Sequence, residues 1–552
     1  MSDDFENLAA DSASPPDTSG TQITVFALVV SVFLFFRKFA GLIKEHLLAR
    51  FFGAGPATDA YKIIYNSIVY NLYSDAEQLL RPTYLPEFIR QKETDERQAW
   101  RLTGTVATLE VVLLTIVAAL LMIFARPLIR AVWPALAANP EAYELAVLML
   151  WLMSPALIIF SLSLMPELTL HAYKRFTLPA IAEATYNLMI MVVLFVGVEL
   201  IWHPGHPRGI IAAALGVIAG GLLRLGVQIP GLWHKLHLLR PSLAIRRTPG
   251  VLSMLRLMPP IVMGLTVSMA RPIVDSSVCT ALGPGMYAAL DFGRKLSDAG
   301  IMILPLAVSL VVYPYVSEWA AEGNRQRLTD SLVSMTRALA FLFVPLSLGM
   351  ILMARSLVDL VYNYQEFQEA DVRKVTIALI CYASGLFIYS VEGSLNKWYF
   401  ALKDTWTPNW VGVLWALGHL TFSVVGGLYT QLGLVAVALA LPLSKGGKVL
   451  TLYWKLRRRL APVPVREVGL FAGRLLAAAA VMGLTVWWLN GMAEPVLQAW
   501  QPPVGGKVVQ LLALVALVGG VGAVVYLSMA ALLRLEEVGQ VWSWFRKKLR
   551  RR

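Results

Sequence analysis

The sequence predicts an all-α integral membrane protein with about fourteen transmembrane helices. Of its 552 residues, 57% are hydrophobic and 15% are charged, whereas soluble domains carry about 25% charged residues. Apolar runs of about 20 residues, the length that spans a bilayer, recur along almost the whole chain. Helices satisfy their own backbone hydrogen bonds in lipid, so these runs indicate spanning helices.

The apolar segments, numbered 1 to 14 in chain order, are separated by short connections. They lie at residues 22–47, 60–80, 103–125, 143–170, 177–202, 208–232, 256–281, 286–316, 333–354, 374–398, 407–429, 432–454, 468–490 and 506–533. Segment 1 is the least regular because Lys38, Lys44 and Glu45 interrupt it. Segment 7 is expected to be kinked at Pro272, since proline removes a helical hydrogen bond.

Basic residues predict the orientation of these segments. If the N-terminus is cytoplasmic, the connections on that side hold most of the lysines and arginines, and the tail after residue 533 adds many more. Positive charge is enriched in cytoplasmic loops, so both termini are predicted to be cytoplasmic. The net charge of +13 is then explained by topology, and no nucleic-acid partner is expected.

An internal repeat predicts two lobes. Ala172–Pro179 and Ala401–Pro408 share Ala, Lys and Pro at one offset, from Lys174 to Lys403. Six segments separate the two stretches, so both have the same orientation in the membrane and indicate parallel repeats. Folds of this kind place the substrate site between the two halves and work by alternating access. The predicted organisation is a disordered cytoplasmic tail (1–20), an N-lobe (21–232), a cytoplasmic linker (233–255), a C-lobe (256–455), segments 13 and 14 (456–533) and a basic cytoplasmic tail (534–552).

The sequence lacks motifs of enzymatic or metal chemistry. Cys279 and Cys381 lie in apolar segments and give neither a disulfide framework nor a metal-ligand spacing. No HExxH, GxSxG or Walker A pattern occurs. We therefore expect a transporter that uses no metal and no organic cofactor.

Ionisable residues within the spanning helices are the candidates for function, because each is costly there unless it faces a cavity or a partner. They concentrate in segments 1, 2, 7 and 8. The candidate substrate-binding residues are Lys38, Lys44, Asp59, Glu77, Arg81, Arg271, Asp275, Asp291, Arg294, Lys295 and Asp298. If the lobes face each other at these segments, they enclose a cationic cavity. Such a cavity suits an anionic head group, since Arg binds phosphate oxygens bidentately and Lys binds them as a point charge.

Structural roles are the alternative for several of these residues. Asp59 follows a Gly-Ala-Gly-Pro turn and can cap the helix of segment 2. The last four candidates share one helix face, so Arg294 can be locked to Asp291 and Asp298. In segment 14 the small residues Gly519, Gly520, Gly522 and Ala523 favour close helix packing, and a groove for an apolar chain is the other interpretation.

Several motifs resemble those of the MurJ (MviN) lipid II flippases, a family of the multidrug/oligosaccharidyl-lipid/polysaccharide exporter superfamily. The stretch from Ala49 to Tyr61, Ala-Arg-Phe-Phe-Gly-Ala-Gly-Pro-Ala-Thr-Asp-Ala-Tyr, is similar to the family signature. Arg256-Leu-Met-Pro-Pro260 resembles the start of its seventh helix, and Arg294 with Tyr313-Pro-Tyr-Val-Ser317 resembles its eighth. The fourteen segments and the two-lobed plan agree over the whole chain.

The resemblance implies a flippase of the bacterial inner membrane, involved in peptidoglycan synthesis, that moves a polyprenyl-diphosphate-linked saccharide to the outer leaflet. It also implies a central cationic cavity, with segments 13 and 14 forming a groove for the lipid tail. By matching position it assigns functional roles to Lys38, Lys44, Asp59, Arg294 and, more weakly, Glu77. The chain departs from the family at several positions. Lysines replace the usual arginines at 38 and 44, and Leu72 stands where an arginine is expected.

Other functions stay open at this point. The carried saccharide can be a different lipid-linked oligosaccharide or exopolysaccharide precursor. A cation-coupled drug exporter predicts a cavity of acids and aromatic residues, and an embedded glycosyltransferase needs a larger outer loop than this chain has. A membrane scaffold that recruits polysaccharide-synthesis enzymes predicts that the cavity charges are dispensable. A coupling cation or the membrane potential is the expected driving force, and membrane lipids are expected partners.

Overall fold

The computed structural model describes residues 39–301, 315–499 and 506–539, and within these ranges the regular elements are helices. The all-α class predicted from the sequence is therefore confirmed for the described part. Lys38, most of segment 1, the second half of segment 8, the predicted tail 1–20 and most of the basic tail 534–552 lie outside the described residues.

The chain forms two compact units. Unit 1 contains the residues up to Phe52 and Pro56–Ile273, and unit 2 contains Gly53–Gly55 and the residues from Val274 onward. The helix of segment 7 therefore begins in unit 1 and ends in unit 2.

Unit 1 is built from eleven helices of the described residues, the last of which continues into unit 2. They are α1 (39–52), α2 (Pro56–Lys62), α3 (Asn71–Thr94), α4 (Glu96–Ile123), α5 (Ala125–Val132), α6 (Pro134–Ala137), α7 (Pro140–Met153), α8 (Ala156–Ala172), α9 (Thr177–Val196), α10 (Ile211–Gln228) and α11 (Val251–Leu282). A π-helix, Ile63–Tyr70, joins α2 to α3 without a break, and a second one, Gly197–Ile201, extends α9. Short 3-10 helices, Pro207–Ile210 and Ile229–Leu238, flank α10.

Unit 2 continues the helical pattern. Its further helices are α12 (Met286–Gly300), α13 (315–321), α14 (Arg325–Leu352), α15 (Ala354–Val361), α16 (Glu369–Ala383), α17 (Leu386–Ala401), α18 (Trp406–Leu428), α19 (Leu434–Leu456), α20 (Val465–Ala499) and α21 (Gly506–Leu532). Polar side chains start several of these helices, as at α14, where the Asn324 side chain accepts a hydrogen bond from the Arg327 amide at 3.1 Å.

Nine helices of the described residues are long and apolar enough to cross a membrane, and up to eleven if each of two bent pairs is one span. The count of fourteen stays a prediction, because segments 1 and 8 are only partly described. One bent pair is α16 with α17, at 42°. The other lies within α11, which bends by 58° between Pro259 and Gly264. This bend follows Pro259, where the consecutive prolines Pro259 and Pro260 remove two helical donors. The kink expected at Pro272 stays a prediction.

The internal repeat has the same backbone geometry in both copies. Lys174 after α8 and Lys403 after α17 have positive φ angles of 60° and 58°. The amide of the next residue then bonds back to the carbonyl of Leu170 or Tyr399, at 2.9 Å in each case. In both copies the helix ends with a lysine in the left-handed backbone conformation. The weak match of Ala, Lys and Pro therefore marks equivalent turns.

Segments 13 and 14 pack together and against α14. Their buried side chains form one apolar cluster with Phe341, whose carbonyl accepts a hydrogen bond from the Tyr526 hydroxyl at 2.7 Å. A Cβ on Gly522 would lie 2.6 Å from Val486 Cγ2, so this position requires a glycine. Close packing therefore explains Gly522, whereas Gly519 and Gly520 border open space.

Candidate substrate-binding site

A carboxylate shared by two lysines lies at the start of unit 1. Glu45 of α1 is 2.8 Å from Lys62 Nζ and 3.2 Å from Lys44 Nζ, and all three side chains are buried. The Lys44 ammonium also lies 5.1 Å from the centre of the Tyr65 ring, a cation–π distance. This cluster therefore contains two lysines and one carboxylate.

Glu77 and Arg81 belong to a network of ion pairs in unit 1. Arg81 of α3 lies 2.6 Å from Glu77 and 2.9 Å from Glu167 of α8. Glu167 also pairs at 2.7 Å with Arg224 of α10, which reaches Glu183 of α9 at 3.1 Å. The network therefore ties four helices together, and the outer pair of Glu77 and Arg81 is partly exposed.

Asp59 and Arg271 are two further candidate residues that lie in unit 1. Asp59 is buried, and because α2 begins at Pro56 it lies inside the first turn, beyond the N-cap position. An acid there is stabilised by the positive end of the helix dipole. Arg271 of α11 donates to the Ser268 hydroxyl at 3.2 Å and interacts electrostatically with Asp75 of α3.

The Arg294 side chain is the most accessible of the predicted cations on α12. Half of it is exposed, and its Nε lies 3.9 Å from Asp298 Oδ2, which is too long for a hydrogen bond. Asp291 is buried one turn away and interacts electrostatically with the guanidinium. Lys295, the next residue, is partly exposed. The pairing of Arg294 with Asp298 is therefore loose, and whether the two aspartates lock the guanidinium stays an open alternative.

Asp275 of α11 lies in unit 2, and its contacts form a site separate from that of Arg271. His419 Nε2 lies 3.0 and 3.1 Å from its two carboxylate oxygens, and the Ser423 hydroxyl donates to it at 2.8 Å. All three side chains are buried. Asp275 and Arg271 are one helical turn apart in sequence, but their described partners are in different units.

Unit 2 also contains a carboxylate shared by two lysines. Glu392 of α17 accepts hydrogen bonds at 2.6 Å from both Lys445 and Lys448 of α19. The three side chains are 11%, 26% and 15% exposed, respectively. Gly393, next to Glu392, borders open space.

Sequence reasoning missed the partners of these groups. Glu167 and His419 are isolated ionisable residues in apolar stretches, and Asp75, Lys445 and Lys448 have their partners on other helices. The signal that was available is their cost in lipid, since an ionisable residue in a spanning helix implies a partner. Lys445 and Lys448 are three residues apart, so they were recognisable as a pair on one face.

The family model "Lipid II flippase MurJ" matches residues 48–500. The chain belongs to the MurJ lipid II flippase family. A MurJ of Burkholderia cenocepacia is 28% identical over 488 residues, covering 85% of this chain and 92% of that protein. A probable MurJ of Thermotoga maritima is 26% identical over 517 residues, covering 93% of this chain and 97% of that protein.

Solved structures agree with the MurJ assignment at the level of the fold. A MurJ lipid II flippase in an inward closed conformation has a TM-score of 0.72 at 20% identity, covering 92% of this chain and 98% of that one. An inward-facing multidrug transporter of the MATE family, in the MOP superfamily, has a TM-score of 0.65 at 13% identity, covering 77% and 94%. This member of the MurJ family is therefore a multi-pass membrane transporter, and not an enzyme.

Proposed function

We propose that this protein flips lipid II, or a closely related polyprenyl-diphosphate-linked saccharide, from the cytoplasmic to the outer leaflet by alternating access. The observation that carries the proposal is Arg294. It is a half-exposed guanidinium on α12, loosely paired with an acid on its own helix face. An arginine in this setting is costly, and an incoming diphosphate can replace the acid as its partner.

The charge of each unit supports an anionic head group. The clusters Lys44–Glu45–Lys62 and Glu392–Lys445–Lys448 each contain two lysines and one carboxylate. In surroundings of low dielectric constant, a cation attracts an anion more strongly than it does in water. A diphosphate carries the opposite charge, whereas the positively charged drugs expected for a cation-coupled exporter would be repelled.

Binding of the diphosphate tests the role of Arg294. Purified full-length wild-type protein is titrated with lipid II in detergent, and the Arg294→Ala and Arg294→Lys variants are compared with it. Loss of a charge-assisted contact worth about 1.5–3 kcal/mol corresponds to affinity weakened about tenfold or more in Arg294→Ala. Arg294→Lys keeps the charge but loses the bidentate fork, so an intermediate affinity is expected.

A matched control separates recognition from general charge. Arg126 pairs with Glu144 in an exposed bidentate contact, and Arg126→Ala is expected to bind lipid II as wild type does. A folded Arg294→Ala variant with wild-type affinity would contradict the role of Arg294. Stronger binding of the same lipid without its diphosphate would contradict recognition of the phosphates.

The orientation in the bacterial inner membrane is part of the proposal. The bias of basic residues supports a cytoplasmic position for both termini. Reporter fusions after Arg552 and in the 203–207 connection should report opposite sides of the membrane. Reporters on the same side would contradict the proposed topology.

Diphosphate lipids and the Arg294→Ala variant also test two alternative functions. A flippase for another lipid-linked oligosaccharide would bind its own diphosphate lipid more tightly than lipid II. A scaffold that recruits polysaccharide-synthesis enzymes would tolerate Arg294→Ala in cells without a growth defect. The proposal predicts that Arg294→Ala fails to replace the wild-type gene although the protein is present in the membrane.

A further inference from the structure

One face of α17 in unit 2 combines a paired carboxylate with two polar groups that lack partners within the described residues. Tyr389, Glu392, Gly393 and Asn396 are spaced i, i+3, i+4 and i+7, which places them on one side of a helix. The Tyr389 hydroxyl and the Asn396 side-chain oxygen are buried and have no hydrogen-bond partner there. A Cβ on Gly393 would meet nothing within 4 Å. This face, which we call the polar strip, therefore borders open space.

Serines on another side of α17 show how polar groups of this helix are otherwise paired. Ser390 donates to the carbonyl of Phe387 at 2.7 Å, and Ser394 donates to the carbonyl of Ser390 at 3.2 Å. A hydroxyl in a helix can satisfy itself in this way on its own backbone. A buried polar group that stays unpaired costs stability, so partners supplied by a bound molecule would explain why the polar strip carries two such groups.

Two lysines of α19 add hydrogen-bond donors to the polar strip. Lys445 and Lys448 both donate to Glu392 at 2.6 Å, which holds this carboxylate against α19. A Cβ on Gly412 of α18 would lie 3.6 Å from Lys448 Nζ, so the ammonium group lies among three helices. An ammonium has three donors, and the bond from Lys448 to Glu392 uses one of them. The polar strip therefore offers donors as well as acceptors.

Arg294 lies near the Tyr389 end of the polar strip. Tyr389 interacts electrostatically with Arg294 and with Asp298 of α12. A Cβ on Gly385 would lie 2.4 Å from Tyr389 Cζ, so the glycine makes room for the ring over the preceding turn of α17. The residue proposed to contact the diphosphate and the polar strip are therefore neighbours within unit 2.

We propose that the polar strip is a saccharide subsite, at which Tyr389 and Asn396 bind hydroxyl or N-acetyl groups of the sugar whose diphosphate contacts Arg294. This inference rests on the proposed flippase function and assigns residues that recognise the carried saccharide. An ionised phosphate or carboxylate only accepts hydrogen bonds, so it would leave the Asn396 oxygen unpaired. A sugar hydroxyl both donates and accepts, so it can pair with the Asn396 oxygen and with the Tyr389 hydroxyl.

A peptide carried by the head group would offer amide donors and acceptors of the same kind. The sugar is favoured because it is bonded directly to the diphosphate, and the polar strip begins next to Arg294. From Tyr389 to Asn396 the strip extends for about 10 Å along the helix axis, at about 1.5 Å per residue. A sugar linked to a diphosphate at Arg294 can therefore reach it.

Removal of one hydroxyl tests the subsite in the purified full-length protein. Tyr389→Phe deletes a group that has no hydrogen-bond partner among the described residues. The unfolding temperature in detergent without lipid should therefore stay at the wild-type value or rise. Affinity for lipid II should fall about three- to tenfold, the effect of one lost hydrogen bond. Affinity for undecaprenyl diphosphate, which has no sugar, should be unchanged.

A second variant and a third lipid separate the sugar from the peptide. Asn396→Leu keeps the approximate size of the side chain and removes its polar atoms, so it should show the same selective loss. Undecaprenyl-diphosphate-linked N-acetylglucosamine carries a sugar without a peptide, and both variants should bind it more weakly than wild type does. A loss confined to lipid II would assign the polar strip to the peptide and overturn the saccharide subsite.

Tyr399→Phe is the matched control on the same helix. The Tyr399 hydroxyl donates to the Leu452 carbonyl at 2.6 Å, so this variant should unfold at a lower temperature but bind all three lipids as wild type does. If Tyr389→Phe lowers the unfolding temperature as much as Tyr399→Phe, the Tyr389 hydroxyl has a structural role and the inference is overturned.

The same titrations distinguish failure of the subsite from failure of the proposed function. Wild type that binds lipid II, together with Tyr389→Phe and Asn396→Leu variants that bind it equally tightly, would overturn the subsite and leave the flippase function intact. Wild type that binds none of the three lipids would contradict the proposed function, and the subsite would fall with it.

Discussion

Replacing Arg224 should destabilise unit 1 far more than replacing an equally well-paired surface arginine. Arg224 is 3% exposed and pairs with Glu167 at 2.7 Å and with Glu183 at 3.1 Å. Its guanidinium also lies 5.0 Å from the centre of the Tyr73 ring. Arg224→Met keeps a straight apolar side chain for packing and removes only the charge and the donors.

The size of the destabilisation follows from the carboxylates that Arg224→Met leaves in the network. Without Arg224, Glu183 and Glu167 each lose an ion pair, while Glu167 keeps its pair with Arg81. Breaking a buried ion pair by removing one partner costs about 3–5 kcal/mol, because the other charge is left uncompensated. At about 2 °C per kcal/mol for a unit of this size, the unfolding temperature should fall by roughly 6–10 °C.

Thermal unfolding in detergent, followed by tryptophan fluorescence, measures this shift. Arg126→Met is the matched control, because Arg126 makes two short contacts to Glu144 but both side chains are about half exposed. Exposed ion pairs contribute little, so this variant should unfold close to the wild-type temperature. Equal shifts for the two variants would refute the reasoning that burial sets the cost.

Three further predictions concern other charged groups. Asp59→Asn should keep the fold but lose transport if the charge is needed, whereas wild-type transport would assign Asp59 to helix stabilisation alone. Glu392→Gln leaves two lysines without a carboxylate and should lower the unfolding temperature more than Lys445→Gln, which leaves one pair; the reverse order would contradict the shared-carboxylate arrangement. Partial burial raises the pKa of Asp404, but hydrogen bonds from residue 407 and the Arg459 guanidinium outweigh it and hold that pKa below its ordinary value. The stability that this carboxylate contributes is therefore present above its ordinary pKa and lost as pH falls through the lowered one. Asp404→Asn should show a smaller loss of stability in acid than wild type, and an unchanged acid profile would contradict the pairing.

The sequence predicted those features of the fold that depend on composition and local pattern. The all-α membrane class follows from the length and polarity of the apolar runs. The turns at Lys174 and Lys403 follow from a repeat of only three matching residues. The 58° bend of α11 after Pro259 was not predicted, although two consecutive prolines stand there in the sequence. The kink at Pro272 stays a prediction.

The candidate site was predicted less completely, because charge pairs form between helices that are distant in sequence. Arg294 was identified from its own cost in lipid, and the geometry leaves it half exposed. His419 could not be identified in this way, since a lone histidine in an apolar helix has no pattern until Asp275 is brought to 3.0 Å. Helix packing, which no local pattern encodes, decides these partnerships.

Translocation of lipid II by the purified protein in sealed vesicles tests the central claim most directly. Lipid II is incorporated in both leaflets, and the fraction that an externally added, membrane-impermeant enzyme can modify is followed over time. The account predicts protein-dependent exchange of lipid II between leaflets, and exchange that is lost in a folded Arg294→Ala variant. Exchange no faster than in protein-free vesicles, or equally fast for lipids that lack a diphosphate, would contradict it.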